Sequence, residues 1–217
     1  MIKILLKGAS GKMGQRIIAC AKADVSFQVV NTIENADVMI DFSHPDATLP
    51  NLETAALAKK RAVIGTTGHT AEQKKEIARY AQRLPFILSP NMSVGVNVMW
   101  EILGRAARLL ESGFDPSIKE THHIHKKDRP SGTALRVAHV IAEGMKTTPD
   151  RISIESIREG EAVGTHTTLF SGPGETLEVT HTALSRDTFA LGALRAARWV
   201  IGKPNGLYSM GDVLGMI

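Results

Sequence analysis

Ile2-Lys3-Ile4-Leu5-Leu6-Lys7-Gly8-Ala9-Ser10-Gly11-Lys12-Met13-Gly14 is the stretch on which the fold turns. Residues 2–7 are a short apolar run of the kind that forms a strand buried on both faces. Behind the glycines, Met13, Ile17 and Ala21 recur at i, i+4 and make one helical face. A strand that passes through a glycine-rich turn into a helix opens a βαβ unit. The glycines let the backbone turn tightly and approach an anion, to which the helix start offers unpaired N–H groups. The spacing is G-x-x-G-x-x-G rather than the commoner G-x-G-x-x-G, so a turn without a ligand is the plain alternative.

Outward from this turn, strands and helices alternate. Strands are expected at 27–30, 38–40 (ending in Asp41-Phe42-Ser43), 62–64 and 86–88, with helices at 49–60 and from Thr70 to about 83. Thr70 and Gln73 make a capping box for the second of these helices. Such alternation implies parallel βαβ units in a doubly wound sheet. Gly65-Thr66-Thr67 and Ser89-Pro90-Asn91-Met92 fall at the carboxyl ends of strands, where such sheets bind ligands. A dinucleotide is the expected ligand, with NADH and NADPH both open. The ribose contact falls to Asn31, Thr32 or Glu34, and Lys12 is placed to meet part of a 2′-phosphate.

The character changes near Val94. A helix is expected from there to about Leu110, a strand at 118–122, and a helix from Ser131 to about 143. Strand-like alternation then occupies 152–155, 165–170 and 176–182, before a last helix at 188–201. The expected fold is α/β: a Rossmann-like doubly wound parallel sheet with a second α+β domain carrying a mixed sheet. Residues 1–93 plus 187–217 make the dinucleotide domain, and 94–186 the substrate and oligomerisation domain.

The 217 residues are 43% hydrophobic and 22% charged, an ordinary globular balance. No apolar run approaches the roughly 20 residues that span a bilayer, and no signal peptide is read at the start. A single cysteine, Cys20, cannot make an internal disulfide. A cytoplasmic protein without a membrane partner is expected. The net charge is +4, but the basic residues are dispersed except at 122–129, and aromatics are only 5%. No aromatic-interleaved basic stripe suggests base stacking, so nucleic acid is not an expected partner.

That basic cluster lies in Glu120-Thr121-His122-His123-Ile124-His125-Lys126-Lys127-Asp128-Arg129-Pro130-Ser131-Gly132-Thr133-Ala134. Three histidines and three cationic residues sit within eight positions and run into a helix start. Histidine moves protons near neutral pH, lysine attracts carboxylates, and helix-start N–H groups hold anions. Together they describe a site that binds a dianion and protonates it. Imidazoles also bind metals. On a strand, however, His123 and His125 share one face and His122 takes the other, and no metal is expected.

The stretch resembles the signature of the dihydrodipicolinate reductase family, E-x-H-H-x-x-K-x-D-x-P-S-G-T-A. The resemblance extends to Gly8 through Gly14, Ile40-Asp41-Phe42, Gly65-Thr66-Thr67-Gly68, residues 91–99, Arg158-Glu159-Gly160, residues 174–181, and Ser185-Arg186 with Phe189-Ala190. It implies NADH- or NADPH-dependent reduction of 4-hydroxy-tetrahydrodipicolinate, a small cyclic dicarboxylate, to tetrahydrodipicolinate in lysine and diaminopimelate biosynthesis. It implies that His122 donates and accepts the proton and that Lys126 is a second donor. His123, Ser131, Gly132 and Thr133 would hold substrate carboxylate. Gly8, Ala9, Ser10, Gly11, Lys12 and Met13 would hold the cofactor, with Gly65, Thr66, Thr67, Ser89, Pro90, Asn91 and Met92. The family is a homotetramer through the sheet of its second domain. Arg129 departs from the small residue expected there, and the segments after the second strand and after Gly160 look trimmed. The alternatives are another small NAD(P)-dependent dehydrogenase, of aspartate or homoserine type, and a non-catalytic dinucleotide sensor. A sensor would keep residues 8–14 but has no need of His122 together with Lys126.

Overall fold

The computed structural model describes residues 1–110 and 113–216. The chain divides into two compact units: Met1–Val94 with Arg186–Ile217, and Gly95–Ser185.

The first unit is built on a parallel sheet of six strands: β1 (Ile2–Lys7), β2 (Phe27–Val30), β3 (Val38–Asp41), β4 (Arg61–Ile64), β5 (Pro85–Leu88) and β10 (Gly206–Tyr208). Their spatial order is β10-β5-β4-β3-β1-β2. The chain leaves β1 toward β2 on one side and then returns to β3 on the other. The order therefore reverses between β1 and β3, which opens a crevice at their carboxyl ends.

Alternate residues along each strand feed two cores. Ile4, Leu6, Val38, Ile40, Val63 and Ile87 pack under α1 (Lys12–Ala23) and α6 (Asp187–Val200). Leu5, Met39, Ala62, Ile64 and Phe86 pack under α2 (Pro45–Leu57) and α3 (Ala71–Arg79). This two-sided burial is why the strands read as apolar runs rather than as alternations.

The second unit carries a mixed sheet in the order β7-β6-β8-β9, from β6 (Asp115–His122), β7 (Ser153–Arg158), β8 (Gly164–Gly172) and β9 (Glu175–Ala183). β7 runs parallel to β6, while β6–β8 and β8–β9 are antiparallel. Val96, Met99, Leu103 and Ala107 of α4 (Val94–Leu110) meet Ala134, Val137, Ala138 and Ile141 of α5 (Gly132–Gly144), and with Ile118 and Phe170 of the sheet they form one core.

Four of the differences from the sequence reading have a plain physical cause. Helix α2 starts at Pro45, not at 49: the His44 ring caps it by accepting the Asp46 N–H, and Pro45 takes the first helical position, where its missing N–H costs nothing. It also ends earlier, because Lys59 turns to a φ of +55° and the Lys60 N–H reaches back to the Ala55 carbonyl at 2.8 Å. Strand β6 begins three residues before the apolar Ile118, at Asp115, where pairing to β8 rather than hydrophobicity sets the edge. After α6, the short strand β10 and α7 (Met210–Leu214) were not foreseen. A three-residue strand has too little length to show a period, and it exists by pairing with β5. Among the described residues no helix is long and apolar enough to cross a membrane.

Candidate active site

The loops at the carboxyl ends of β1, β3, β4 and β5 form one set in the first unit. At Gly8 the backbone takes a φ of +81°, and a Cβ there would lie 2.3 Å from the Phe42 carbonyl oxygen. A Cβ at Gly14 would lie 2.2 Å from the Gly8 carbonyl oxygen. Both glycines are therefore demanded by packing alone. Gly11 is different: its Cβ would meet only the Gly8 oxygen, at 3.4 Å, an ordinary contact. Ser10, Gly11 and Lys12 are exposed, and α1 starts without a side-chain cap. By contrast α2, α3 and α7 are capped by His44, Thr70 and Ser209. α6 also starts without a side-chain cap, but the α1 start is an exposed glycine loop at the crevice, which fits a dinucleotide's pyrophosphate.

Behind this loop, buried Asp41 ties the others together. Its Oδ1 accepts from the Ser43 N–H at 2.9 Å and the Thr66 hydroxyl at 3.2 Å, and its Oδ2 accepts from the Asn51 amide at 3.2 Å. Thr66 is accordingly engaged inside the protein, whereas Thr67 is exposed. Gly65 lies under the Phe42 ring, 2.3 Å from where its Cβ would be. In the 89–92 loop, the Ser89 hydroxyl donates to the Asn91 carbonyl at 2.8 Å, Pro90 is exposed, and Met92 is a core residue. A Cβ at Gly192 of α6 would overlap the Met92 carbonyl at 1.8 Å, so the helix is packed hard against this loop. At the end of β2, Asn31, Thr32 and Glu34 are all exposed. The Glu34 carboxyl is held below its usual range by its own backbone N–H and the Thr32 hydroxyl.

In the second unit the histidine–lysine motif straddles the end of β6. His122 is the last residue of the strand and is buried. Glu120, two residues earlier and therefore on the same face, is fully buried, with one carboxylate oxygen in hydrogen-bond contact with His122 Nδ1. Its other oxygen accepts from Arg158 Nη2 at 2.7 Å and from the Ser131 N–H at 3.3 Å. Arg158 also donates to the Asp128 and Ile157 carbonyls, each at 2.6 Å. The Ser131 hydroxyl caps α5 by accepting the Ala134 N–H at 3.2 Å, and lies 3.1 Å from His166 Nε2. The His166 ring stands edge-on to His122, with centroids 5.0 Å apart.

The charges follow from this wiring. Burial works against an ionised Glu120, but hydrogen bonds from Arg158, Ser156 and His122 outweigh it and hold the carboxyl at about 2. Burial lowers His122 below the usual imidazole range, against the pull of Glu120. Burial, with the neighbouring His122, pushes His166 down to about 3. Lys126 pairs with Asp128 at 2.9 Å and is a quarter exposed. His123 is half-buried and its backbone N–H donates to the Ala162 carbonyl, while Gly132 at the start of α5 is exposed with open space beside it. Thr133 follows Gly132 in the first turn of α5 and is half-buried. Arg129 is exposed, outside the buried network.

Sequence reasoning missed the network's other members. Glu120 was quotable from its period-two spacing to His122. His166 was not, because it faces Glu120 only through the antiparallel β6–β8 register. Glu120, His122 and His166 bring ligand-type atoms within 4.8 Å of one another. However, Arg158 and the Ser131 N–H occupy one carboxylate oxygen, His122 Nδ1 meets the other, and the Ser131 hydroxyl meets His166 Nε2. The trio is a hydrogen-bonded network of its own.

Family models for the dihydrodipicolinate reductase C-terminus and N-terminus match residues 95–214 and residues 2–36 and 31–92. The two N-terminal stretches overlap at 31–36, the short crossover after β2. The chain is 40% identical to 4-hydroxy-tetrahydrodipicolinate reductase of Syntrophotalea carbinolica over 266 aligned positions, covering all of both proteins. It is also similar to the solved dipicolinate-bound dihydrodipicolinate reductase from Paenisporosarcina sp. TG-14. That match has a TM-score of 0.83 and 25% identity and covers 96% of this chain and 97% of the other. Aspartate dehydrogenase from Thermotoga maritima shares the fold alone, with a TM-score of 0.51 and 9% identity over 94% and 98% of the two chains.

Proposed function

This chain belongs to the dihydrodipicolinate reductase family, and from that membership we propose how its own residues divide the reaction. The protein is an NAD(P)H-dependent oxidoreductase that reduces dihydrodipicolinate to tetrahydrodipicolinate in lysine and diaminopimelate biosynthesis. The observation that carries the proposed division of labour is the buried His122 imidazole, held by Glu120, on the same motif as Lys126 and the open start of α5.

Bound NADH or NADPH supplies a hydride to the substrate ring. The first unit holds the cofactor through Gly8, Ala9, Ser10, Gly11, Lys12 and Met13, with Gly65, Thr66 and Thr67 and with Ser89, Pro90, Asn91 and Met92 beside them. Asn31, Thr32 and Glu34 stand where the adenosine ribose is read. In the second unit Lys126 draws the dianion and stabilises negative charge as it develops. His123, Ser131, Gly132 and Thr133 hold a substrate carboxylate with the help of the N-terminal dipole of α5. His122 gives and recovers the proton. The protein works in the cytoplasm as a homotetramer joined through the β7-β6-β8-β9 sheet.

An assay coupled to a synthase that forms dihydrodipicolinate tests the reading directly. Absorbance of the reduced cofactor should fall, with NADH, NADPH or both, and no turnover with either would sink it. Gly11 gives a cleaner test of the cofactor loop than its neighbours, because the protein itself tolerates a Cβ there. Gly11→Asp should melt near the wild-type temperature yet lose binding of both NADH and NADPH by calorimetry, through clash and charge repulsion with pyrophosphate. Wild-type affinity would refute the loop assignment. For assembly, light scattering at micromolar concentration should give four times the chain mass. A mass near 23.4 kDa would contradict the tetramer.

A further inference from the structure

Glu120 has no part in the roles assigned above, yet its carboxylate is fully buried and both its oxygens are engaged. We propose that Glu120 is a positioning residue: clamped by Arg158 and by the start of α5, it accepts the Nδ1–H of His122. It thereby fixes the imidazole in the tautomer whose Nε2 is free to take and return the proton. This inference rests on the reading of His122 as the proton-handling group.

The geometry assigns each part of the clamp. Oε2 meets the imidazole, while Oε1 takes Arg158 Nη2 at 2.7 Å and the Ser131 N–H at 3.3 Å. Arg158 has 1% of its side chain exposed and is itself fixed on the Ile157 and Asp128 carbonyls, so the carboxylate has no freedom to turn away. The His166 ring meets the imidazole edge-on at 5.0 Å and is held in turn by the Ser131 hydroxyl. Nε2 lies against Gly164, where a Cβ would come within 2.8 Å of it. A residue without a side chain keeps that nitrogen clear. A carboxylate on the far nitrogen of a working imidazole selects its tautomer and supports the imidazolium when it forms. The start of α5, proposed to hold substrate carboxylate, is joined to the same clamp through Ser131. Substrate seating and imidazole orientation therefore share one rigid support.

The test reads the tautomer itself. Nitrogen-15 NMR of histidine-labelled protein, assigned by comparison with His122→Gln, should show neutral His122 protonated on Nδ1 in the wild type. In Glu120→Gln, the Arg158 and Ser131 donors keep the amide oxygen, so the amide N–H₂ faces Nδ1 and drives the proton to Nε2. That variant should lose about 100- to 10,000-fold in kcat, with KM within a few-fold of wild type. Glu120→Asp, which keeps the charge, should retain the wild-type tautomer and recover part of the rate. An Nε2–H tautomer in the wild type overturns the proposal and needs no variant to fold. Unchanged kcat in Glu120→Gln overturns it as well. Normal turnover in His122→Gln beside an Nδ1–H wild-type tautomer would remove the proton role while upholding the clamp's geometry, so the two failures are separable.

Discussion

His122→Gln should lower kcat by about 100- to 10,000-fold and leave KM nearly unchanged. Glutamine keeps a polar side chain of similar reach but cannot pass a proton, so only an interaction made in the transition state is lost. Lys126→Ala behaves differently. It removes the cation proposed to draw the dianion, so KM should rise while kcat falls. Both variants keep wild-type affinity for NADH and NADPH, because neither residue belongs to the glycine loop. Steady-state kinetics with cofactor titrations read all three quantities. Near-normal kcat in His122→Gln would move the proton role to His123. Loss of cofactor binding in both variants would make the motif a dinucleotide or structural element.

Arg158→Met should destabilise the fold by about 3–5 kcal/mol at neutral pH, the usual cost of leaving one member of a buried ion pair alone. The cost depends on acidity in a defined direction. Glu120 titrates at about 2 in the folded protein against an ordinary value of 4.5. A carboxyl lowered by folding adds stability that is fully present above the unfolded value, and that is lost as the pH falls through the folded one. The gap between wild type and Arg158→Met should therefore be widest at pH 7 and narrow from about 4.5 toward about 2. Urea melts at pH 7 and pH 3 measure it. A gap below about 1 kcal/mol, the scale of exposed pairs, or one that does not change with pH, would mean that the pair is not what holds Glu120.

The parallel sheet was legible because burial on both faces writes itself as uninterrupted apolar runs, and because Gly8, Gly11 and Gly14 punctuate the first turn. The capping box of Thr70 and Gln73 was legible for a local reason: its two hydrogen bonds join residues three apart. Helix α2 was expected only from residue 49, whereas it starts at Pro45, which occupies the one helical position that suits it. At the site, His122 and Lys126 stood out by type and spacing. Their support did not, since Arg158 lies 38 residues from Glu120 and His166 reaches the cluster across a strand pairing. Local chemistry is written in the sequence, whereas partners brought in by register appear only once the strands are paired. The glycine loop shows the same limit from the other side. Three glycines look equivalent in the sequence, but two answer to packing and only Gly11 leaves room for a ligand.

The return of the chain to its first sheet has a consequence for synthesis. The second unit is one continuous stretch, Gly95–Ser185, and every residue of its core precedes α6 in the chain. The first unit begins earlier but finishes later. Until Ala190, Ala193, Leu194, Ala196 and Ala197 arrive, one face of its parallel sheet has only α1 to cover it. Chain order thus makes Ile40, Val63 and Ile87 wait for the last elements of the chain to gain their partners, and an unfinished first unit exposes that apolar sheet face to aggregation.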